Sequence, residues 1–275
     1  MSKTNIDEFE KYLLKADFSQ HTISSYIWTV RDFLDKHSEI SAENISIYRL
    51  ELMDNRNPKT VNLRLSALNR YLKFLDKEYL KIPTIKVQQK PYVDNVISFE
   101  DYDFLKHSLK KDGYIDSYFL VWILGATGTR VSEFVQLKIE HVKKGHCDLY
   151  GKGKKMRRIY FPKTLQVELL GWLAENNRES GYLFRGHETK SNGGHISIGA
   201  VGSRLDEIGK RYAVDKTVMH PHSFRHMYAM TFLDRGGDMF LLADLMGHES
   251  LETTRIYLRR TATQQRAKID EIITW

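Results

Sequence analysis

The sequence predicts a mainly α-helical protein with one small β-sheet, an α+β fold, and three observations support this. Apolar residues recur at helical spacing through most of the 275 residues. Residues 83–96 contain two prolines and no helical period, which indicates an extended linker. Two short apolar runs, 147–150 and 156–161, flank a glycine-containing turn, which is typical of a β-hairpin. We therefore expect two domains, 1–82 and 97–275, joined by the linker 83–96.

Residues 1–82 predict a bundle of helices. Asn57 followed by Pro58 is a strong start signal, because it combines an N-cap with proline at the first helical position. The helix that begins there directs an apolar series inward and leaves Lys59 and Arg64 on other faces. A plain bundle with a polar surface explains this pattern. The functional alternative is a helix that lies against DNA, with Lys59 and Arg64 as candidate contacts. The apolar residues predicted to face the core are Ile6, Phe9, Leu13 and Leu14 in the first helix and Val61, Leu65, Leu68, Leu72 and Leu75 in the fourth.

The sequence of the second domain predicts further helices before and after the hairpin. Ser98 begins one helix, and Tyr118–Leu124 forms an apolar helix that Gly125 and Gly128 interrupt. Arg130 opens the next helix. After the hairpin, helices are predicted near 164–176, 199–213, 223–235, 238–246 and 250–259, followed by a tail.

Charge and composition restrict the class of function. The net charge is +7, and the segment from Lys143 to Arg158 contains seven Lys/Arg and a single acid, Asp148. Such a cluster favours a polyanionic partner, and Lys154, Lys155 and Arg157 are candidate DNA contacts. The apolar runs are too short to cross a membrane, and the N-terminus lacks an apolar signal core, so we expect a cytoplasmic protein. The single cysteine excludes an internal disulfide and a multi-cysteine zinc site.

Four segments carry residues suited to chemistry on a phosphate. An arginine after a glycine turn, a lysine at a hairpin tip and a His-x-x-Arg pair are each weak signals alone. A helical tyrosine is usually a packed aromatic, and it becomes a credible nucleophile only beside a base and cations. The segments are T-G-T-R-V-S-E at 127–133, G-K-G-K at 151–154, H-P-H-S-F-R-H at 220–226 and L-M-G-H-E-S-L-E-T-T-R-I-Y at 245–257.

A metal site is the competing interpretation of the histidines. His222 and His226 are four residues apart and could share one helical face, with His220 or His248 as a third ligand. Arg225 between them opposes a cation, and the sequence lacks an H-E-x-x-H acid. We therefore expect no metal and assign His222 and Arg225 to a phosphate.

With these residues in this order, the chain resembles the tyrosine recombinases of the phage integrase family, in particular the small Xer-type members. The resemblance spans nearly the whole chain. It implies a helical core-binding domain, a linker, and a catalytic DNA breaking and rejoining domain that ends in a docking tail. One departure is Phe224, which stands where leucine is commoner and is still apolar. The implied catalytic residues are Arg130, Lys152, His222, Arg225, His248 and Tyr257, with Glu133 in support.

The resemblance implies a mechanism. Tyr257 attacks the scissile phosphate and forms a 3′-phosphotyrosyl link, while Arg130 and Arg225 offset charge on the nonbridging oxygens. Lys152 protonates the departing 5′ oxygen, and His222 is the expected acceptor of the tyrosine proton. His248 bonds a phosphate oxygen, and no cofactor is required. The implied partners are double-stranded DNA with paired recognition sites and a homo-tetramer in the synapse, with accessory DNA-bending proteins allowed for and no membrane.

Two alternatives stay open beside a site-specific recombinase. A type IB topoisomerase uses a similar tyrosine chemistry as a monomer and would relax plasmids without site preference. A DNA-binding regulator that has lost catalysis is the other, although the intact set of six groups argues against it. A metallohydrolase is a distant third, which cleavage in EDTA would exclude.

Overall fold

The computed structural model describes residues 3–37, 39–87, 95–150, 156–186, 194–248, 251–258 and 269–275. The described chain is mostly helical and contains a two-stranded sheet, which confirms the predicted fold class. It divides into two compact units, Met1–Gln89 and Lys90–Trp275.

The regular elements described in the first unit are helices, and their starts follow the sequence signals. Asn57 accepts a hydrogen bond from the Thr60 backbone N–H at 2.9 Å, as expected of an N-cap before proline. Ser19 caps the second helix through the backbone N–H of Thr22. The helices are α1 (Lys3–Lys15), α2 (Gln20–Lys36), α3 (Ala42–Asn55) and α4 (Pro58–Phe74), followed by a 3-10 turn at Glu78–Leu80.

The core of the first unit lies where α1 and α2 pack against α4. The predicted inward residues Val61, Leu65, Leu68 and Leu72 are fully buried. The expectation for Leu14 is wrong, because Leu13 occupies the inward face of α1 and the next residue points about 100° round the helix. Leu14 is therefore exposed.

The chain beyond α4 remains attached to this unit for several residues. Asn69 exchanges two hydrogen bonds with the backbone of Ile82, and Asn62 does the same with Ile85. Each amide side chain thus pairs with both the N–H and the carbonyl of one residue, as a strand neighbour would. Residues 83–85, which we assigned to the linker, are consequently fixed to α4.

The second unit packs its helices around an apolar core. Ser98 caps its first helix through the backbone N–H of Asp101, as predicted. Its elements are α5 (Phe99–Lys111), α6 (Ile115–Thr127), α7 (Val131–Phe134), α8 (Ile139–Lys144), β1 (His146–Tyr150), β2 (Met156–Tyr160), α9 (Lys163–Glu175), α10 (Ile198–Tyr212), α11 (Pro221–Asp234), α12 (Met239–Met246) and α13 (Leu251–Arg255), with a 3-10 turn at Ile256–Leu258.

Gly125 does not interrupt α6, contrary to the sequence-based expectation. The helix continues to Thr127 and ends at Gly128, which adopts a left-handed conformation. A Cβ at Gly125 would lie 2.3 Å from Cε2 of Tyr102. Gly125 is therefore required for the close approach of a buried tyrosine ring and not for a turn.

The predicted hairpin forms an antiparallel pair in which Leu149 lies opposite Arg157. Along β2, Arg157 and Ile159 are buried, whereas Met156 and Tyr160 are exposed, so alternate residues face the core. The turn between the strands, with Lys152, Lys154 and Lys155, lies outside the described residues.

The apolar side chains of the C-terminal segment are exposed. Trp275 is 90% exposed, and Ile269, Ile272 and Ile273 are each about half exposed. No described helix has both the length and the apolar character needed to cross a membrane.

Candidate active site

Tyr257 lies in the 3-10 turn that follows α13, and its side chain is 8% exposed. It packs in a small cluster with Ala229 of α11 and with Leu242 and Met246 of α12. This packing holds the tyrosine ring of the turn against α11 of the same chain.

The hydroxyl of Tyr257 is hydrogen-bonded to Nδ1 of His226 at 2.8 Å. Burial raises the pKa of Tyr257 to about 12, although the charges of Arg225 and Arg130 act in the opposite direction. Burial, followed by the neighbouring His222 and Arg225, lowers the pKa of His226 to about 4. Near neutral pH the phenol is therefore protonated and the imidazole uncharged, so the hydroxyl can donate to Nδ1.

Arg225 is the most deeply buried cation of the site, at 3% exposure. Its Nη1 donates to the backbone carbonyl of Gly128, and its Nη2 donates to that of Met246. Burial, followed by the charges of Arg157 and Arg130, lowers the pKa of Arg225 to about 10. The two carbonyls hold a guanidinium that still carries its charge at neutral pH.

Arg130 is the N-cap residue of α7, and Glu133 fixes both its backbone and its side chain. Oε2 of Glu133 accepts from the Arg130 backbone N–H at 2.7 Å, and Oε1 accepts from Nη1 at 2.9 Å. Nη2 of Arg130 donates to the Gly247 carbonyl at 3.0 Å. The Arg130 side chain remains 43% exposed, so an anion can reach it.

Arg157 joins the same network from β2. Its Nη1 donates to the Met246 carbonyl at 2.7 Å, and its Nη2 lies 3.3 Å from Oε2 of Glu133. The side chain is 8% exposed, and burial lowers its pKa. The position differs from our expectation of a surface DNA contact, because the alternation of β2 turns Arg157 inward beside Ile159.

The turn at Gly247 connects the arginines to His248. Gly247 ends α12 in a left-handed conformation, with φ of 60°, and a Cβ there would lie 2.6 Å from Cδ of Arg157. Glycine therefore permits both the turn and the close passage of the arginine.

His248 follows this turn, and its Nδ1 is hydrogen-bonded to Oγ1 of the buried Thr254 at 2.8 Å. Burial and the charges of Arg225, Arg130 and Arg157 lower the pKa of His248 to about 4. The imidazole is therefore uncharged near neutral pH and can donate one hydrogen bond.

The remaining histidines lie at the start of α11. His220 is the N-cap, and its Nδ1 accepts from the backbone N–H of Ser223 at 3.2 Å. His222 is exposed, and its ring meets the His226 ring edge-on at a centroid distance of 4.2 Å. We expected His222 to accept the tyrosine proton, whereas the Tyr257 hydroxyl is hydrogen-bonded to His226. Among the described residues, no three His, Cys, Asp or Glu side chains are grouped as metal ligands would be.

The site thus brings together Arg130, Glu133, Arg225, His248 and Tyr257, which come from three separate segments. Lys152 belongs to the turn that lies outside the described residues. Sequence reasoning did not assign His226 a role and placed Arg157 on the surface. The alternation of Arg157 with the apolar Ile159 was a signal for burial, whereas no pattern in the sequence distinguished His226 from His222.

The two DNA-contact candidates of the first unit differ from each other. Lys59 is exposed at the start of α4. Arg64 is half-buried, with its guanidinium 4.0 Å from the Trp28 ring centroid, and its Nη1 donates to Thr29 at 2.8 Å. Arg64 therefore contributes to the packing of α4 on α2.

The phage integrase family matches residues 95–264, which contain the whole site described above. The chain belongs to the phage integrase family. The SAM-like N-terminal domain of phage integrases matches residues 6–79.

Relatives within the phage integrase family align with nearly the whole chain. Tyrosine recombinase XerA of Pyrococcus furiosus is 31% identical over 271 residues, which cover 96% of this chain and 92% of that protein. Tyrosine recombinase XerC of Treponema denticola is 28% identical over 298 residues, which cover 93% of this chain and 95% of that protein.

Solved structures share the fold at low sequence identity. The Tn1549 transposon integrase in complex with transposon right end DNA has a TM-score of 0.71 at 16% identity and covers 98% of this chain and 99% of that one. The XerH site-specific recombinase bound to difH substrate has a TM-score of 0.70 at 20% identity, covering 92% of this chain and 79% of that one.

Proposed function

We propose that this protein is a site-specific DNA recombinase that cleaves and rejoins DNA through a 3′-phosphotyrosyl link to Tyr257. The observation that carries the proposal is the hydrogen bond of the Tyr257 hydroxyl to His226, the residue that directly follows the buried Arg225 in α11. A phenol held next to fixed cations suits attack on a phosphodiester, because the cations offset the charge that develops on the phosphoryl oxygens. Membership of the phage integrase family supports the same chemistry.

Each residue of the site has a proposed role at one phosphate. Arg130 and Arg225 bind the nonbridging oxygens, and a guanidinium with five N–H donors can do so while it also bonds backbone carbonyls. His222 and His248 contribute further hydrogen bonds to the phosphate. Glu133 acts by holding Arg130. Lys152, in the sequence between β1 and β2, protonates the departing 5′ oxygen.

The proposed substrate is double-stranded DNA with paired recognition sites. The relatives named as tyrosine recombinases and the XerH complex with difH substrate support this choice. The excess of positive charge agrees with it. We expect Lys59, Lys154 and Lys155 to contact the DNA backbone. Because the substrate is DNA, we also expect the protein to act in the cytoplasm.

A homo-tetramer in the synaptic complex is part of the proposal. The exposed apolar tail, with Ile272 and Trp275, is suited to docking on a neighbouring protomer. A chain that ends at Ala262 should bind a single DNA site and fail to form a synapse. Full synapsis by this truncated chain would disprove a docking role for the tail. The same assay, repeated with added DNA-bending proteins, tests whether synapsis depends on them.

The decisive experiment is trapping on a nicked suicide substrate, in which the released short 5′-hydroxyl strand diffuses away. The wild-type protein should form a covalent adduct in the presence of EDTA, and Tyr257→Phe should bind the DNA without forming one. Tyr160→Phe is the matched control, because Tyr160 is an exposed tyrosine of the same unit. An adduct that persists in Tyr257→Phe would disprove the proposal. Plasmid relaxation without site preference would indicate a topoisomerase instead.

A further inference from the structure

His226 of α11 is in direct contact with the hydroxyl of Tyr257. Its Nδ1 is hydrogen-bonded to the Tyr257 hydroxyl at 2.8 Å, and the ring centroids are 5.4 Å apart. Tyr257 is 8% exposed, so bulk water has little access to its hydroxyl. A phenol is a weak nucleophile until a base removes its proton. The group that is already bonded to the hydroxyl is therefore the natural acceptor.

Among the described residues, the other candidate bases make no hydrogen bond to the Tyr257 hydroxyl. His248 has its Nδ1 on Thr254, and its ring centroid is 6.4 Å from that of Tyr257. Glu133 binds Arg130 and pairs with Arg157. His222 is exposed and contacts the ring of His226. Within the part of the chain that the structure describes, His226 is the hydrogen-bond partner of the Tyr257 hydroxyl.

We propose that His226 accepts the phenolic proton when Tyr257 attacks the scissile phosphate, and this inference rests on the function proposed above. In the forward step the Tyr257 oxygen forms a bond to phosphorus, and the bond from phosphorus to the 5′ oxygen breaks. The phenolic proton moves to Nδ1 of His226, and the 5′ oxygen takes a proton from Lys152. In the return step the oxygen of a 5′-hydroxyl forms a bond to phosphorus and gives its proton back to Lys152. The bond from phosphorus to the Tyr257 oxygen breaks, and His226 returns its proton to the leaving phenolate.

The charges around His226 explain why the proton moves only when DNA is bound. The groups facing it are His220 and His222 at the start of α11, Arg225 in α11 and His248 after α12. Arg225 makes a positive charge on His226 less favourable at neutral pH, and the three histidines do so when they are protonated. A scissile phosphate brings a negative charge among Arg130, Arg225 and these histidines. It therefore offsets the charge that His226 gains on accepting the proton.

The test is single-turnover cleavage of the suicide substrate by the full chain across a range of pH. His226→Gln keeps a polar side chain of similar length but cannot serve as a base, and His226→Phe keeps an aromatic ring of similar size. Both should cleave about 10²–10⁴-fold more slowly than wild type, with DNA binding retained. The rate of the variants should rise with pH as the phenol itself ionises. His107→Gln, at an exposed histidine of α5, should match wild type.

A ring-fluorinated tyrosine at position 257 separates chemistry from packing. Its phenol is more acidic and depends less on a base, so the deficit of His226→Gln should shrink markedly with this residue. The inference would be overturned by wild-type rates in His226→Gln, or by a deficit that neither fluorination nor pH changes. In both cases wild type would still form the Tyr257 adduct. Absence of that adduct in wild type would instead disprove the proposed function.

Discussion

Arg157 and Glu133 form an ion pair within the candidate site, with Nη2 of the arginine 3.3 Å from Oε2 of the glutamate. The same carboxylate binds the backbone and side chain of Arg130. Glu133 therefore links an arginine of the hairpin to an arginine expected to bind phosphate. The position of the hairpin, which carries Lys152, is coupled through this pair to the rest of the site.

Replacing Arg157 should destabilise the second unit. Arg157→Met leaves a mostly buried carboxylate without one of its two cations, and loss of one partner of a buried pair typically costs about 3 kcal/mol. Denaturant unfolding followed by the tryptophans of this unit measures the change. The double variant Arg157→Met/Glu133→Gln removes the unpaired charge and should recover part of the loss. Equal stabilities of the single and double variants would contradict the pairing.

Gly247→Ala should lower stability and DNA cleavage more than an alanine substitution at another glycine with positive φ. Any non-glycine residue in the left-handed region costs about 1–2 kcal/mol. At Gly247 the new Cβ also lies 2.6 Å from Cδ of Arg157, whereas at Gly236, with φ of 85°, nothing lies within 4 Å. We expect Gly236→Ala to show only the backbone cost and to cleave DNA normally, and Gly247→Ala to lose further stability and cleavage activity. Identical behaviour of the two variants would show that Arg157 moves aside freely.

The free energy of unfolding should fall as the pH is lowered from about 6.5 to about 4. In the folded protein the pKa of both His226 and His248 is lowered from 6.5 to about 4. Within this window the unfolded chain binds protons that the folded chain does not, so stability rises with pH and is lost on acidification. Urea unfolding at several pH values tests this. His226→Gln and His248→Gln should each give a shallower dependence, and an unchanged slope in both would contradict the assignment.

Lys152→Ala should lose cleavage on normal DNA and recover it on a modified substrate. An alkoxide needs a proton to depart, whereas a thiolate does not, because a thiol has a pKa of about 8.5. We expect a suicide substrate with sulfur at the 5′ bridging position to restore most of the rate. The Lys152→Ala rate is compared on the oxygen and sulfur substrates, with Tyr257→Phe inactive on both. No recovery on sulfur would show that Lys152 is not the acid.

Substitution of Lys59 should affect DNA binding, whereas substitution of Arg64 should affect stability. Lys59→Ala should weaken binding to all DNA sequences and reduce the slope of log affinity against log salt by about one, with unfolding unchanged. Arg64→Met removes hydrogen bonds to Ser25 and Thr29 and the stacking on Trp28, and it should cost about 1.5 kcal/mol. Fluorescence anisotropy titrations and denaturant unfolding measure the two effects. A large loss of stability in Lys59→Ala would contradict the assignment of Lys59 to DNA binding alone.

Local sequence was sufficient for the fold class and for most element starts. Periodic apolar residues select helices, and N-caps such as Asn57 and Ser98 act within three or four residues. These interactions involve residues that are close together in the sequence. The same reasoning failed at Gly125, because its reason for being glycine is the ring of Tyr102, which lies on another helix.

The sequence by itself also determined the kind of chemistry, since two arginines, a lysine, histidines and a tyrosine in a fixed order match one family. Tertiary structure decided which of these side chains touch. His226 meets Tyr257 across 31 positions, and Arg157 reaches the Met246 carbonyl across 89. Contacts of that separation depend on how α11, α12 and β2 pack. One turn of helix is enough to replace His222 by His226 at the tyrosine, and one step of strand alternation turns Arg157 from the surface into the site.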